Sequence, residues 1–151
     1  MPIGGFYAIH NSEIRFGSDG HWYADGDRIE NRRIEQLFSR SVERGADGAY
    51  ILRVGDETAS ILVDDTPYVV TAIAVDGGVR ATLNDGTEEE IAPESIEMSR
   101  DNVFYCRVKD GSEPARLLRA AHYQLAAHIG ERADGDFVLR LGTRELPIRQ
   151  R

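Results

Sequence analysis

The chain has 151 residues, a formal charge of −8 and a composition that is 41% apolar and 29% charged, enough for one domain or two closely packed lobes of an ordinary soluble protein. Its acidity opposes nucleic acid and anionic membranes at long range, and its single cysteine, Cys106, excludes an intramolecular disulfide and a cysteine-based zinc site. The longest apolar stretch, Tyr68 to Val75, is far too short to span a bilayer and no charged-then-apolar leader precedes Gly4-Gly5, so the expected location is the cytoplasm.

Along the chain, Gly4-Gly5 reads as a flexible lead-in and 6–9 as an edge strand. Residues 13–16 read as a short strand with Ile14 and Phe16 on one face. Ser18-Asp19-Gly20 turns the chain into His21-Trp22-Tyr23, and Asp25-Gly26 turns it again as a hairpin. A helix is predicted over 32–44, with Asn31 as its N-cap and Gly45 ending it. Its apolar stripe is Ile34, Leu37, Phe38, Ser41 and Val42, while Arg33, Gln36, Arg40 and Arg44 stack on the opposite side.

The stretch 47–76 organises the fold. Asp47-Gly48 and Gly55-Asp56 are turns around the run Tyr50 to Val54, and a second run covers 59–63. In that second run Ala59, Ile61 and Val63 share one face. Tyr68 to Val75 shows no alternation, which predicts a central strand covered on both faces in a mainly antiparallel sheet. Asp76-Gly77-Gly78 and Asn84-Asp85-Gly86 then make hairpins into Val79 to Leu83 and into 87–91. Pro93 breaks the chain before a strand over 103–108. A second helix is predicted over 114–129, with Pro114 in its first turn, Gly130 closing it, and Leu117, Leu118, Ala121, Leu125 and Ile129 on its apolar stripe. A last strand, with Phe137, Leu139 and Leu141 alternating, is followed by 143–148 turning back along it. The fold class is α+β, two helices on a sheet-rich body.

Asp19-Gly20-His21-Trp22-Tyr23, Leu37-Phe38-Ser39, Asp47-Gly48-Ala49-Tyr50 and Val63-Asp64-Asp65-Thr66-Pro67-Tyr68, followed by Ala115-Arg116 and Tyr123-Gln124-Leu125, occur in an order and spacing that resembles an uncharacterised bacterial family known only as a domain of unknown function. The likeness covers about 14–148. Other members often carry Glu-Asp-Ala-Pro-Phe where this chain has Asp64-Asp65-Thr66-Pro67-Tyr68. The resemblance implies two packed sheet-rich lobes with one helix each, the first an α/β roll and the second more barrel-like. Placed on this chain, the lobes are 1–70 and 71–151. It implies no activity, cofactor or catalytic residue.

Candidate sites follow from chemistry, each beside a plainer reading. Asp64 and Asp65 leave a strand beside Pro67 and could give oxygens to a divalent cation, although Asp is also favoured where a strand ends. Cys106 shares a strand face with Phe104 and Val108, which makes it buried filler rather than a nucleophile. His122 and His128 lack the i,i+4 spacing of paired metal ligands on a helix and read as packed histidines. Trp22 points away from His21 and Tyr23 and reads as core, leaving those two able to line a groove. Arg33, Arg40 and Arg44 could clamp an anion or an acidic partner, or form a solvated helix face. Glycine-rich phosphate motifs are absent from the sequence.

These readings favour a non-catalytic binding or interaction module, with a ligand cleft between lobes near His21, Tyr23, Asp64, Asp65 and Tyr68. Its expected partner is a small ligand or a protein, without cofactor, metal, nucleic acid or membrane. The alternative is a small metal-dependent hydrolase using Asp64 and Asp65, which requires a histidine nitrogen and both carboxylates to converge.

Overall fold

A computed structural model of the chain describes residues 12–151, so the lead-in at Gly4-Gly5 and the edge strand at 6–9 lie outside the described residues. The fold is α+β, mostly antiparallel sheet, with two α-helices among the described residues. The chain divides into two compact units, Met1–Pro67 and Tyr68–Arg151. Among the described residues no helix is long and apolar enough to cross a membrane.

In the first unit, β1 (Ile14–Phe16), β2 (Trp22–Ala24) and β3 (Asp27–Arg28) form an antiparallel meander. The turn between β2 and β3 has Asp25 at φ 51° and Gly26 at φ 87°, the doubly left-handed backbone that an Asp-Gly pair accommodates in a two-residue hairpin. Strand alternation buries Ile14 and Phe16. Phe16 lies 4.8 Å from Trp22 between ring centroids, and Trp22 meets Phe38 nearly edge-on at 5.5 Å. The buried indole N–H donates to Ser39 Oγ at 2.9 Å, so Trp22 is core with its one polar atom satisfied. Phe38 and Ser39 reach it from α1 (Arg32–Arg40), whose first turn is capped by the Asn31 side chain accepting from the Arg33 and Ile34 N–H groups.

Helix α1 stops at Arg40, not at 44. Ser41 Oγ donates to the Leu37 carbonyl, satisfying one of the terminal acceptors. Val42 then starts β4 (Val42–Arg44), which pairs antiparallel with β5 (Tyr50–Val54). Gly45 belongs to that hairpin, its N–H donating to the Ala49 carbonyl. The helical stripe expected to run through Ser41 and Val42 ends before them, because a strand partner ten residues on takes Val42 instead. The run at 59–63 is also split. Strand β6 (Glu57–Ser60) pairs with β5, whereas β7 (Leu62–Val63) leaves it and pairs parallel with β1. The unit thus holds two sheets, ordered β3-β2-β1-β7 and β4-β5-β6.

The second unit begins with β8 (Tyr68–Val75), β9 (Val79–Leu83) and β10 (Glu88–Ile91), joined by the two expected hairpins. A 3-10 turn at Pro93–Ser95 leads to β11 (Glu97–Met98) and β12 (Phe104–Val108). Then comes β13 (Glu113–Leu117), where the first third of a helix was expected. Helix α2 spans only Arg119–Ala126, and Gly130 lies within β14 (Ile129–Glu131), not at a helix end. The chain closes with β15 (Phe137–Leu141), β16 (Arg144–Pro147) and β17 (Arg149–Gln150). One sheet has the order β10-β9-β8-β13-β12-β11-β17 and curls into a half-barrel; the other is β14-β15-β16.

Strand β8 sits third from one edge of its sheet, between β9 and β13. Tyr68, Val69 and Val70 are buried on both faces, as the lack of alternation predicts. From Thr71 onward the strand is partly open to solvent, with Thr71 and Ala74 exposed and Ile73 buried. The change coincides with the end of β13, whose Leu117 pairs with Val70. Beyond that point the edge is finished by helix α2: Gln124 Oε1 accepts the Ile73 N–H at 2.7 Å. Ala121 and Leu125 are the buried residues of α2, which packs on β8.

Candidate functional site

Four side chains of the first unit surround one pocket of about 380 Å³, open to solvent. Arg15 comes from β1, Asp19 from the turn that follows, Tyr23 from β2, and Asp64 from the end of β7; Gly17, Ser18 and Gly26 complete the lining. Alternation explains Arg15 and Tyr23. They are register partners on the face opposite Ile14, Phe16 and Trp22. The parallel pairing of β7 with β1 brings Asp64 beside them, with the Asp64 N–H donating to the Phe16 carbonyl.

The polar groups of the pocket are mutually engaged. One arm of the Arg15 guanidinium donates to Asp64 Oδ1 and the other to Glu13 Oε1 at 3.2 Å. Hydrogen bonding to Asp64, then to Glu13, raises the Arg15 pKa above its ordinary value, so it stays a cation. Asp19 Oδ1 accepts the His21 N–H at 3.0 Å, and Oδ2 accepts the Tyr23 O–H at 2.5 Å. Partial burial alone would push the Asp19 carboxyl up, but the bonds from Tyr23 and His21 outweigh it and hold the pKa below the usual range. The same bond to Asp19 raises the Tyr23 phenol. Gly17 makes this closure feasible: a Cβ there would lie 2.7 Å from Asp19 Oδ1 and 2.9 Å from Tyr23 Cε1.

Of the residues singled out from sequence, Tyr23 and Asp64 line this pocket. His21 instead turns to the helix, its Nδ1 3.2 Å from Glu35 Oε2, an oxygen that also accepts the Trp22 N–H at 3.0 Å. Asp65 is half-buried in the segment between β7 and β8. Tyr68 belongs to the second unit, where Lys109 Nζ lies 5.0 Å from its ring centroid. Burial, and after it the charges of Asp85, Glu113 and Glu89, push the Tyr68 phenol up to about 12. The arginine stripe is corrected. Arg33 and Arg40 are exposed on α1, but Arg44 is on β4, with its guanidinium 4.7 Å from the Tyr50 ring centroid and donating to the Tyr50 hydroxyl and the Gly48 carbonyl.

Cys106 is buried, and burial raises its thiol to about 12, with Glu89 adding to the effect. His122 packs on Phe104 at 4.9 Å between centroids, while His128 lies beyond the end of α2. Among the described residues, no group of three or more His, Cys, Asp or Glu is placed to hold a metal ion. The convergence that a hydrolase built on Asp64 and Asp65 requires is therefore not formed by them.

Sequence reasoning passed over Arg15 and Asp19, although alternation in 13–16 already puts Arg15 outside and Ser18-Asp19-Gly20 marks a turn. It also passed over a second polar cluster. Lys109 Nζ donates to Asp85 Oδ2 at 2.6 Å, and Asp85 Oδ1 accepts both the N–H and the hydroxyl of Thr87. Lys109 itself sits at φ 54° and gives its backbone N–H to Glu89 Oε1, which ties β10 to the end of β12. The available signal was that Lys109 is the one lysine in a chain with 17 arginines.

An α+β protein of two sheet-rich units with a small polar pocket in the first is the class these observations define. No family model matches the chain, and no curated protein does. Among solved structures, a DUF1285 family protein from Silicibacter pomeroyi DSS-3 is similar with a TM-score of 0.70 and 23% identity, covering 91% of this chain and 79% of the other. A DUF1285 family protein from Shewanella baltica OS155 is similar with a TM-score of 0.61 and 17% identity, covering 78% of this chain and 92% of the other. These neighbours belong to a family of unknown function, in line with the resemblance drawn from the motifs. At such identities the likeness is one of fold.

Proposed function

We propose that the chain is a non-catalytic binding module that takes a small polar ligand in the pocket of its first unit. The observation that carries this reading is the gathering of Arg15, Asp19, Tyr23 and Asp64 from separate segments around one pocket. Its volume of about 380 Å³ lies at the small end of the range of about 300–1,000 Å³ usual for small-molecule sites. The chemistry there is that of recognition. Every charged group has a fixed partner, and the Tyr23 hydroxyl that donates to Asp19 has its pKa raised by that bond, the opposite of the lowered pKa that activates a nucleophile. The site replaces the cleft between lobes expected from the sequence, and it keeps two of the residues named for that cleft.

The test is an amide NMR titration with a panel of small amines, carboxylates and neutral amides at fixed ionic strength. The expected outcome is a saturable shift confined to the pocket lining, Asp64 included, for at least one compound. That shift should be lost in Tyr23→Ala. Shifts that cluster elsewhere, or none that saturate, would remove the pocket as the site.

A further inference from the structure

We propose that the ligand of this pocket is a small organic cation, an amine or a guanidinium, an inference that rests on the pocket being the binding site. Three charged groups line the pocket: one guanidinium and two carboxylates. Asp64 and Glu13 take two of the five guanidinium N–H donors and offset its charge. An incoming carboxylate or phosphate would have to share that guanidinium with two carboxylates and would also face Asp19. The net charge of the lining is negative, and its carboxylates keep acceptor capacity for a ligand. Each carboxylate oxygen accepts more than one hydrogen bond, and Asp19 is kept ionised by the Tyr23 hydroxyl and the His21 N–H despite its partial burial.

A second, independent observation is the charge of the segment that builds the pocket. Residues 1–67 contain twelve acidic and seven basic side chains, a formal −5. The long-range field of such a unit concentrates cations at its surface and depletes anions. Tyr23 adds a π-bearing wall, a surface to which an alkylammonium or guanidinium is attracted and a carboxylate is not.

Three probes that share a butyl chain test this: butylguanidinium, pentanamide and pentanoate, titrated at fixed ionic strength and followed by the amide signals of the pocket residues. Butylguanidinium is expected to saturate those signals and pentanoate to leave them unmoved. Asp19→Asn and Asp64→Asn should each weaken the cation about tenfold or more, as loss of a charged hydrogen-bond acceptor implies, with the melting temperature of each variant measured to confirm that it is folded. The double variant leaves the lining with one net positive charge, and it should gain affinity for pentanoate. Saturation by pentanoate in the wild type, without saturation by butylguanidinium, would overturn the ligand class while leaving the pocket as a binding site. Failure of all three probes and of the wider panel to move these signals would overturn both. An unchanged affinity for butylguanidinium in Asp19→Asn and Asp64→Asn would likewise sink the cation assignment.

Discussion

Asp85 shows how a side chain without any obvious motif can decide local stability. It is 5% exposed and paired with a lysine held in a left-handed backbone conformation, an arrangement that costs strain unless its contacts return more than they take. Burial would raise the Asp85 carboxyl, yet the bonds from Lys109 and Thr87 outweigh that and lower it. A carboxyl whose folded pKa lies below its unfolded value stabilises the fold fully above the unfolded value, about 3.9, and loses that contribution as the pH falls through the folded one. Asp85→Asn should therefore lower stability by about 1–3 kcal/mol at neutral pH, and the gap to wild type should close as the pH drops below about 4. Urea melts at pH 7 and pH 3 measure this; an equal gap at both would show that the pair is not what stabilises. Cys106 gives a second test at this scale. Its buried thiol, raised to about 12, should react slowly with a thiol reagent in the folded protein and at once in denaturant. Rapid labelling of the native state at pH 8 would refute its burial.

At the scale of elements, turns were legible and partnerships were not. Asp25-Gly26, Asp76-Gly77-Gly78 and Asn84-Asp85-Gly86 mark hairpins because left-handed backbone is a local requirement that few residues meet. The strands Val42–Arg44 and Glu113–Leu117 were read as helix because their fate is settled by distant partners, Tyr50–Val54 and Tyr68–Val70. Pro114 misled most, since proline opens helices and is rare inside sheets. It is tolerated because β8 begins only opposite Ala115, so Pro114 has a strand on one side alone. Gly130, expected to end a helix, instead leaves room for the Arg140 side chain: a Cβ there would lie 2.4 Å from the guanidinium carbon. The pocket was half legible for the same reason. Alternation places Arg15 and Tyr23, but only the parallel β1–β7 pairing brings Asp64 to them. The helices offer a paired measurement. Leu125→Ala should cost about 2–5 kcal/mol, because Leu125 is fully buried on the face of α2 that packs on β8, whereas Arg40→Ala on exposed α1 should change stability by less than about 0.5 kcal/mol. Similar losses in the two variants would contradict these faces.

At the scale of the molecule, the division at Pro67 and Tyr68 separates complete hydrogen-bonded sets. Every strand from β8 to β17 has its ladder partners within residues 68–151, and β1 to β7 have theirs before Pro67. The second unit also carries its own helix and a contiguous set of buried side chains, including Val69, Val70, Val79, Leu83, Ile96, Leu117, Leu125 and Leu139. Domains of about 60 residues bury about 60% of their unfolded surface and many fold alone, so residues 68–151 have the size and the closed pairing to do the same. Expressed by itself, that segment is expected to show dispersed amide resonances and a single cooperative melt by circular dichroism. It contains no tryptophan, since the one tryptophan is Trp22, so in the full chain Trp22 fluorescence reports the first unit alone. The key observable is amide exchange at Val69, Val70 and Ile73 of β8. If the seven-stranded sheet is self-sufficient, these amides stay protected in the isolated segment: Asn84 Oδ1 accepts from Val69 and Gln124 Oε1 from Ile73, Val70 pairs with β9 and β13, and all of these leave with the segment. A collapsed fragment with unprotected β8 amides would mean that residues 1–67 supply part of what holds that sheet together, and the second unit could then no longer be treated as a folding unit of its own.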